Sequence, residues 1–149
     1  MEQDFEIYPM PMFPTLAVGD VGASAGWYSE VVGFGTVFVL PGADGDPVVA
    51  HLRWRKYADV LLVPDGAESA DRKGVGVSLS FLVGDMSVDA MAEKLVGLGV
   101  ELDEGPVTRA WNTREIVVVD PDGYRLVFFE AVDVGRSFDD VMEAVTNGE

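Results

Sequence analysis

Apolar and polar positions along this chain fall into two similar successions. In the first, Thr15–Val18 reads as a short strand. A helical stretch follows, capped by Asp20 or Ser24, with Trp27, Val31 and Phe34 on its apolar side. Gly35–Leu40, Val48–Arg55 and Ala58–Val63 then read as strands, the last two joined by a tight turn near Lys56-Tyr57. The second succession opens with a strand over Val77–Val83 and a helix from Ser87 to Val96, with Val88, Met91, Ala92 and Leu95 at helical spacing. Strands are predicted at Val100–Leu102, Ile116–Val119 and Arg125–Glu130. Asp120-Pro121-Asp122-Gly123 is the turn between the last pair, each residue type suited to its place.

The correspondence extends to individual residues. Val18-Gly19-Asp20 recurs as Val83-Gly84-Asp85, and Val60–Val63 as Leu126–Phe129, at an offset of about 65 residues. Each half therefore reads β-α-β-β-β. The fold class is α+β: two tandem βαβββ modules forming curved mixed sheets around a cleft. One domain over residues 1–149 is expected, with modules at about 13–63 and 77–130 and a linker at 64–76. Residues 1–12 form a helix-averse extension carrying Pro9 and Pro11, suited to exchange between two subunits. In the tail, 131–149, Ser137 and Asp140 resemble a capping box. Phe138, Val141, Met142 and Val145 share one helical face, fit either to cover the chain's own core or to meet a twin subunit.

Charge and composition narrow the function. A formal charge of −16 argues against nucleic acid, whose phosphates this chain would repel. It fits a solubility device first and attraction of a cationic ligand second. With no cysteine there is no disulfide framework and no thiolate nucleophile or metal ligand. No apolar run approaches a membrane span, and Met1-Glu2-Gln3-Asp4 does not open a signal peptide, so the expected location is the cytoplasm.

Three groups of residues carry a further resemblance: Leu16-x-Val18-x-Asp20; Trp27-Tyr28 with Val31-Val32-Gly33-Phe34; and Asp120-Pro121-Asp122-Gly123-Tyr124. Over about residues 13–130 the chain resembles the vicinal oxygen chelate superfamily, which includes glyoxalase I, extradiol dioxygenases and bleomycin-resistance proteins. Members that do chemistry bind a divalent metal on the inner faces of their sheets. The ligand positions implied by that resemblance fall on Phe13, Leu61, Ser78 and Val127, which make no competent ligand set. No metal and no cofactor are therefore expected.

This departure is similar to the antibiotic-sequestering, bleomycin-resistance-like branch, whose members are acidic, metal-independent and dimeric. There a Trp-Gly-x-Arg stretch supplies a Trp that stacks on the ligand; here it reads Trp111-Asn112-Thr113-Arg114. The resemblance implies a homodimer that holds an aromatic, cationic or neutral, natural product. The expected ligand-binding residues are Trp111, Arg114 and Phe129 in the second half. In the first half they are Trp54, Phe38 and His51, and the erased metal positions Phe13, Leu61, Ser78 and Val127 complete the set. A hairpin centred on Pro121-Asp122 puts Arg114 on the face of Val127 and Phe129; pairing Leu61 near Leu52 puts Trp54 on the face of Leu61. A metal-free enzyme is the alternative, with His51 as general base, Arg114 as anion binder and Tyr28, Tyr57 or Tyr124 as donors.

Overall fold

A computed structural model describes residues 6–66 and 73–148. Residues 1–5 of the extension and 67–72 of the linker lie outside the described residues. The element order is β1 (Thr15–Val18), α1 (Val21–Gly26), β2 (Gly35–Pro41), β3 (Pro47–Arg55), β4 (Ala58–Pro64), β5 (Ser78–Leu82), α2 (Val88–Gly97), β6 (Glu104–Thr108), β7 (Thr113–Val119), β8 (Arg125–Ala131) and α3 (Phe138–Thr146). Each half is β-α-β-β-β, as the pattern of the sequence predicts. Two compact units result. One runs up to Val75 and takes in Asp120–Gly123; the other holds Gly76–Val119 and Tyr124 onward.

In the first unit the sheet order is β1-β4-β3-β2, with β1 parallel to β4 and the remaining pairs antiparallel. Asp20 caps α1, its carboxylate accepting the Ala23 N–H, while Ser24 sits buried inside the helix. The helix continues as a π-helical turn over Trp27–Val32 and stops at Gly33, whose φ of 107° suits a residue without a Cβ. Leu16, Val18, Tyr28, Phe34, Leu52, Val60 and Leu62 form its core. The turn Asp120–Gly123 is tied into this unit. Asp120 accepts the buried Tyr28 hydroxyl at 2.6 Å, and the Asp122 carboxylate accepts the Gly19 N–H at 2.8 Å.

The second unit repeats the plan with order β5-β8-β7-β6. Ser87 caps α2 through the Ala90 N–H, and Val88, Met91, Ala92 and Leu95 are its buried face. One strand differs from the sequence expectation: β6 is Glu104–Thr108, not Val100–Leu102. The chain closes the end of α2 first, with Gly99 N–H donating to Val96 and Val100 N–H to Leu95. Gly105-Pro106 reads as a strand breaker yet lies within β6, where the register shifts between Glu104 and Val107. Gly105 has φ 89°, and a Cβ there would lie 2.3 Å from the Glu115 carbonyl oxygen, so only glycine fits. At α3 the Ser137 hydroxyl accepts the Asp140 N–H, and Ala144 is buried while Phe138 and Met142 stay exposed.

Candidate functional site

Each sheet has one face against its helix and a second face of different character, and the strand register decides which side chain falls on which. In the first unit β3 and β4 pair His51 with Leu61, Leu52 with Val60 and Arg53 with Asp59. The tight turn pairs Arg55 with Ala58, and a bulge at Trp54 then slips the ladder by one residue. That slip corrects the expected pairing of Leu61 near Leu52 and reverses the face of Trp54. Its ring lies 5.2 Å from Phe34, in the helix-side core.

His51, Arg53, Asp59 and Leu61 occupy the other face, and the three polar side chains are buried there together. Asp59 is the hub. Arg53 grips it bidentately, Nε at 2.8 Å and Nη2 at 2.9 Å, and His51 Nε2 lies 2.6 Å from Oδ2. The Tyr8 hydroxyl donates to Oδ1 at 3.1 Å while accepting the Tyr57 N–H at 2.7 Å. Arg53 also donates to the Glu6 carbonyl at 2.9 Å and sits 4.4 Å over the Tyr8 ring. Glu6–Tyr8 is thus clasped to the sheet of its own chain.

Burial pushes the Asp59 carboxyl up, but hydrogen bonds from Arg53, His51 and Tyr8 together outweigh it and hold the group below its ordinary value. Burial pushes the Tyr8 phenol up, and its bond to Asp59 adds to that. Beside the cluster Phe38 pairs with His51 across the strands and meets the imidazole edge-on at 5.3 Å. Phe38 and Leu40 are about half exposed, and Phe13, just ahead of β1, is partly so.

In the second unit Val119 pairs with Arg125, so the turn centres on Asp122 rather than between Pro121 and Asp122. The register again moves by one. Val117 faces Val127, Glu115 faces Phe129, and Arg114 faces Glu130. The hairpin expectation is corrected accordingly: Arg114 lies on the face opposite to Val127 and Phe129. There its guanidinium engages Asp89 at 2.7 and 2.8 Å and Thr108 at 2.9 Å. Glu130, on the same side, accepts the Val88 N–H at the start of α2.

On the opposite face Glu115 gathers three donors. Trp111 Nε1 donates at 3.1 Å, the Thr113 hydroxyl at 2.7 Å and Arg109 Nε at 3.2 Å. Burial raises the Glu115 pKa, while the bonds from Thr113, Trp111 and Arg109 lower it further and prevail. The indole is half exposed but fixed at its N–H, with Arg109 5.6 Å over its ring. Asn112 has φ 71°, the left-handed conformation a glycine adopts readily, and its side chain exchanges two hydrogen bonds with the Asp133 backbone. Asparagine therefore keeps the backbone shape open to glycine at this place.

Of the sequence-expected residues, the structure brings together Phe38, His51 and Leu61 on one sheet, and Trp111, Phe129 and Val127 on the other. Ser78 stands exposed at the start of β5, opposite Arg125 on β8. Trp54 and Arg114 lie elsewhere. Asp59, Arg53, Tyr8 and Glu115 were missed. The signal was present, since His51-x-Arg53 and Asp59 put opposite charges on one face of a hairpin that is otherwise apolar. Phe13, Leu61, Ser78 and Val127 do not fit a divalent metal, because three of the four have no donor atom in their side chains. Among the described residues no group of three His, Asp or Glu side chains is placed to hold a metal ion.

The family model of the glyoxalase/bleomycin resistance protein/dioxygenase superfamily matches residues 12–128. The chain belongs to this superfamily. Solved structures with the superfamily's fold include TioX from Micromonospora sp. ML1, 22% identical with a TM-score of 0.65, over 80% of this chain and 97% of TioX. TnmS3 from Streptomyces sp. CB03234, described as an antibiotic binding protein, is 24% identical with a TM-score of 0.62, over 80% of this chain and 93% of its own. No curated protein sequence matches the chain. No helix among the described residues is long and apolar enough to cross a membrane.

Proposed function

We propose that this chain is a metal-independent binding protein that sequesters a planar aromatic natural product and returns it chemically unchanged. The observation that carries this reading is aromatic surface on the sheet faces away from the helices. Phe38 and Leu40 stand half exposed beside His51 and Leu61, and Trp111 stands half exposed on the face of Phe129. The superfamily's metal positions contribute no ligand set to either face. That TnmS3, of the same fold, is an antibiotic binding protein supports the class of ligand. The physics is stacking and desolvation on rings that are already oriented. Trp111, fixed by Glu115, loses little rotational freedom when a flat ligand covers it. A formal charge of −16 adds attraction for cationic ligands, an effect that added salt would screen. The protein acts as a cytoplasmic homodimer in this reading, and static light scattering on the purified chain tests that state.

Incubation of a planar aromatic antibiotic with excess protein, followed by mass analysis and tryptophan fluorescence, tests the function. Quenching with the ligand recovered at its original mass is the expected result; absence of quenching with every planar ligand tried would refute it. Trp111→Ala is expected to weaken binding about tenfold, the equivalent of one stacked ring. Equilibrium dialysis reads this without relying on the deleted indole. A second reading, a metal-free enzyme, is favoured by the pairing of His51 with Asp59, the arrangement of an oriented general base. A changed ligand mass, abolished by His51→Ala, would establish it in place of sequestration.

A further inference from the structure

His51 is the one histidine of the chain, and its two nitrogens stand in different surroundings. Nε2 faces the Asp59 carboxylate at 2.6 Å, which places the proton of the neutral imidazole on Nε2. Nδ1 is then a lone-pair acceptor, and among the described residues it has no hydrogen-bond partner. Ser24 Oγ is the one fully buried side-chain oxygen or nitrogen without a partner among them. Nδ1 is therefore not sealed inside the protein, although the His51 side chain as a whole is only 7% exposed. The imidazole cannot turn away to satisfy Nδ1 without giving up Asp59, and Phe38 holds it edge-on from the neighbouring strand. Asp59 is itself fixed by Arg53 and Tyr8. This is a rigid acceptor, directed by three supporting groups, at the margin of an exposed aromatic surface.

We propose that the bound ligand carries a phenolic or enolic hydroxyl on its planar system and donates it to His51 Nδ1 while its ring covers Phe38. The inference rests on the reading of the chain as a binder of flat aromatic molecules, and it adds a polar requirement to that reading. A buried acceptor that a ligand leaves unpaired costs more than a missing contact, so the site selects for the hydroxyl. No covalent step is involved; the hydroxyl oxygen keeps its bond to hydrogen and Nδ1 accepts it.

The test uses 7-hydroxycoumarin and 7-methoxycoumarin, two flat probes that differ in that donor alone. With uniformly 15N-labelled protein the single histidine gives one pair of ring resonances, so Nε2–H and bare Nδ1 are read directly. The expected result has three parts. The free protein shows the Nε2–H tautomer, 7-hydroxycoumarin binds about tenfold tighter than its methyl ether, and only the hydroxyl probe moves the Nδ1 resonance. His51→Gln, which keeps an N–H for Asp59 but removes Nδ1, is expected to bind both probes alike. Equal affinities with an unmoved Nδ1, or a free protein protonated at Nδ1, would overturn this inference and leave the flat-ligand reading standing. Failure of both coumarins to bind would overturn the two together. The wild-type spectra decide the matter even if the glutamine variant does not fold.

Discussion

Replacing Asp59 by Asn is expected to lower the stability of the chain by about 3–5 kcal/mol, the range for breaking a buried ion pair from one side. Arg53 is 5% exposed and Asp59 2%, so the guanidinium left behind has no solvent to turn to. Asparagine has the right shape but the wrong polarity. Its oxygen still accepts from one donor, while its NH2 group meets the N–H of His51 or Arg53 head-on, where the carboxylate accepted both. Urea denaturation followed by circular dichroism measures the loss; a midpoint unchanged from wild type would show that the cluster carries no stability. The same carboxylate fixes the acid limit of the fold. Its pKa is held below the ordinary aspartate value of 3.8, so its stabilisation is complete above that value. It is lost as pH falls below about 4 and through the depressed native pKa. Wild-type stability should therefore fall with acid across that window, and Asp59→Asn should lack this part of the slope.

This cluster was not legible as a unit in the sequence, and the reason is register. Hydrophobic spacing located nearly every element, because a strand or helix with a buried side must repeat its apolar residues at the period of its backbone. Spacing does not fix pairing between strands. A one-residue bulge at Trp54 turned a correctly placed hairpin over and sent that indole to the helix side. A turn centred on Asp122, rather than between Pro121 and Asp122, likewise separated Arg114 from Phe129. Residues that share a strand with each other fared better. Phe129 and Val127 stay together whatever the register, and Trp111, Thr113 and Glu115 lie at alternate positions and meet in space. Tyr8 and Asp59 are 51 positions apart, and no periodicity joins an extended arm to a strand that distant. The strand Glu104–Thr108 was missed because its Gly105-Pro106 reads locally as a turn. Tertiary pairing overrides that preference at a place where Glu115 leaves room for no Cβ.

The Asp-Pro-x-Gly turn was the motif most visible in the sequence, and its first residue carries the second large expected effect. Asp120→Ala should destabilise the chain by about 3 kcal/mol. The carboxylate is 4% exposed and works in two directions. Its Oδ1 accepts the Asp122 N–H at 2.9 Å and so shapes the turn; its Oδ2 accepts the Tyr28 hydroxyl at 2.6 Å. Tyr28 is fully buried within the aromatic group that includes Trp27 and Phe34, so alanine would strand its hydroxyl away from that acceptor in an apolar setting. The loss should also loosen Asp122, whose carboxylate holds the Gly19 N–H at 2.8 Å just ahead of α1. Asp120→Asn keeps its oxygen for the Asp122 N–H and turns its NH2 to the Tyr28 hydroxyl, which can rotate to accept, so it should cost less than half as much. Tyr28→Phe isolates the hydroxyl bond, at about 1.5 kcal/mol for a bond to a charged group. If stranding the hydroxyl is the main cost, the double variant Asp120→Ala/Tyr28→Phe will be more stable than the sum of the single losses implies. Strict additivity in urea denaturation would mean that the turn alone sets the cost of losing Asp120, and that Tyr28 is held by packing rather than by its hydroxyl.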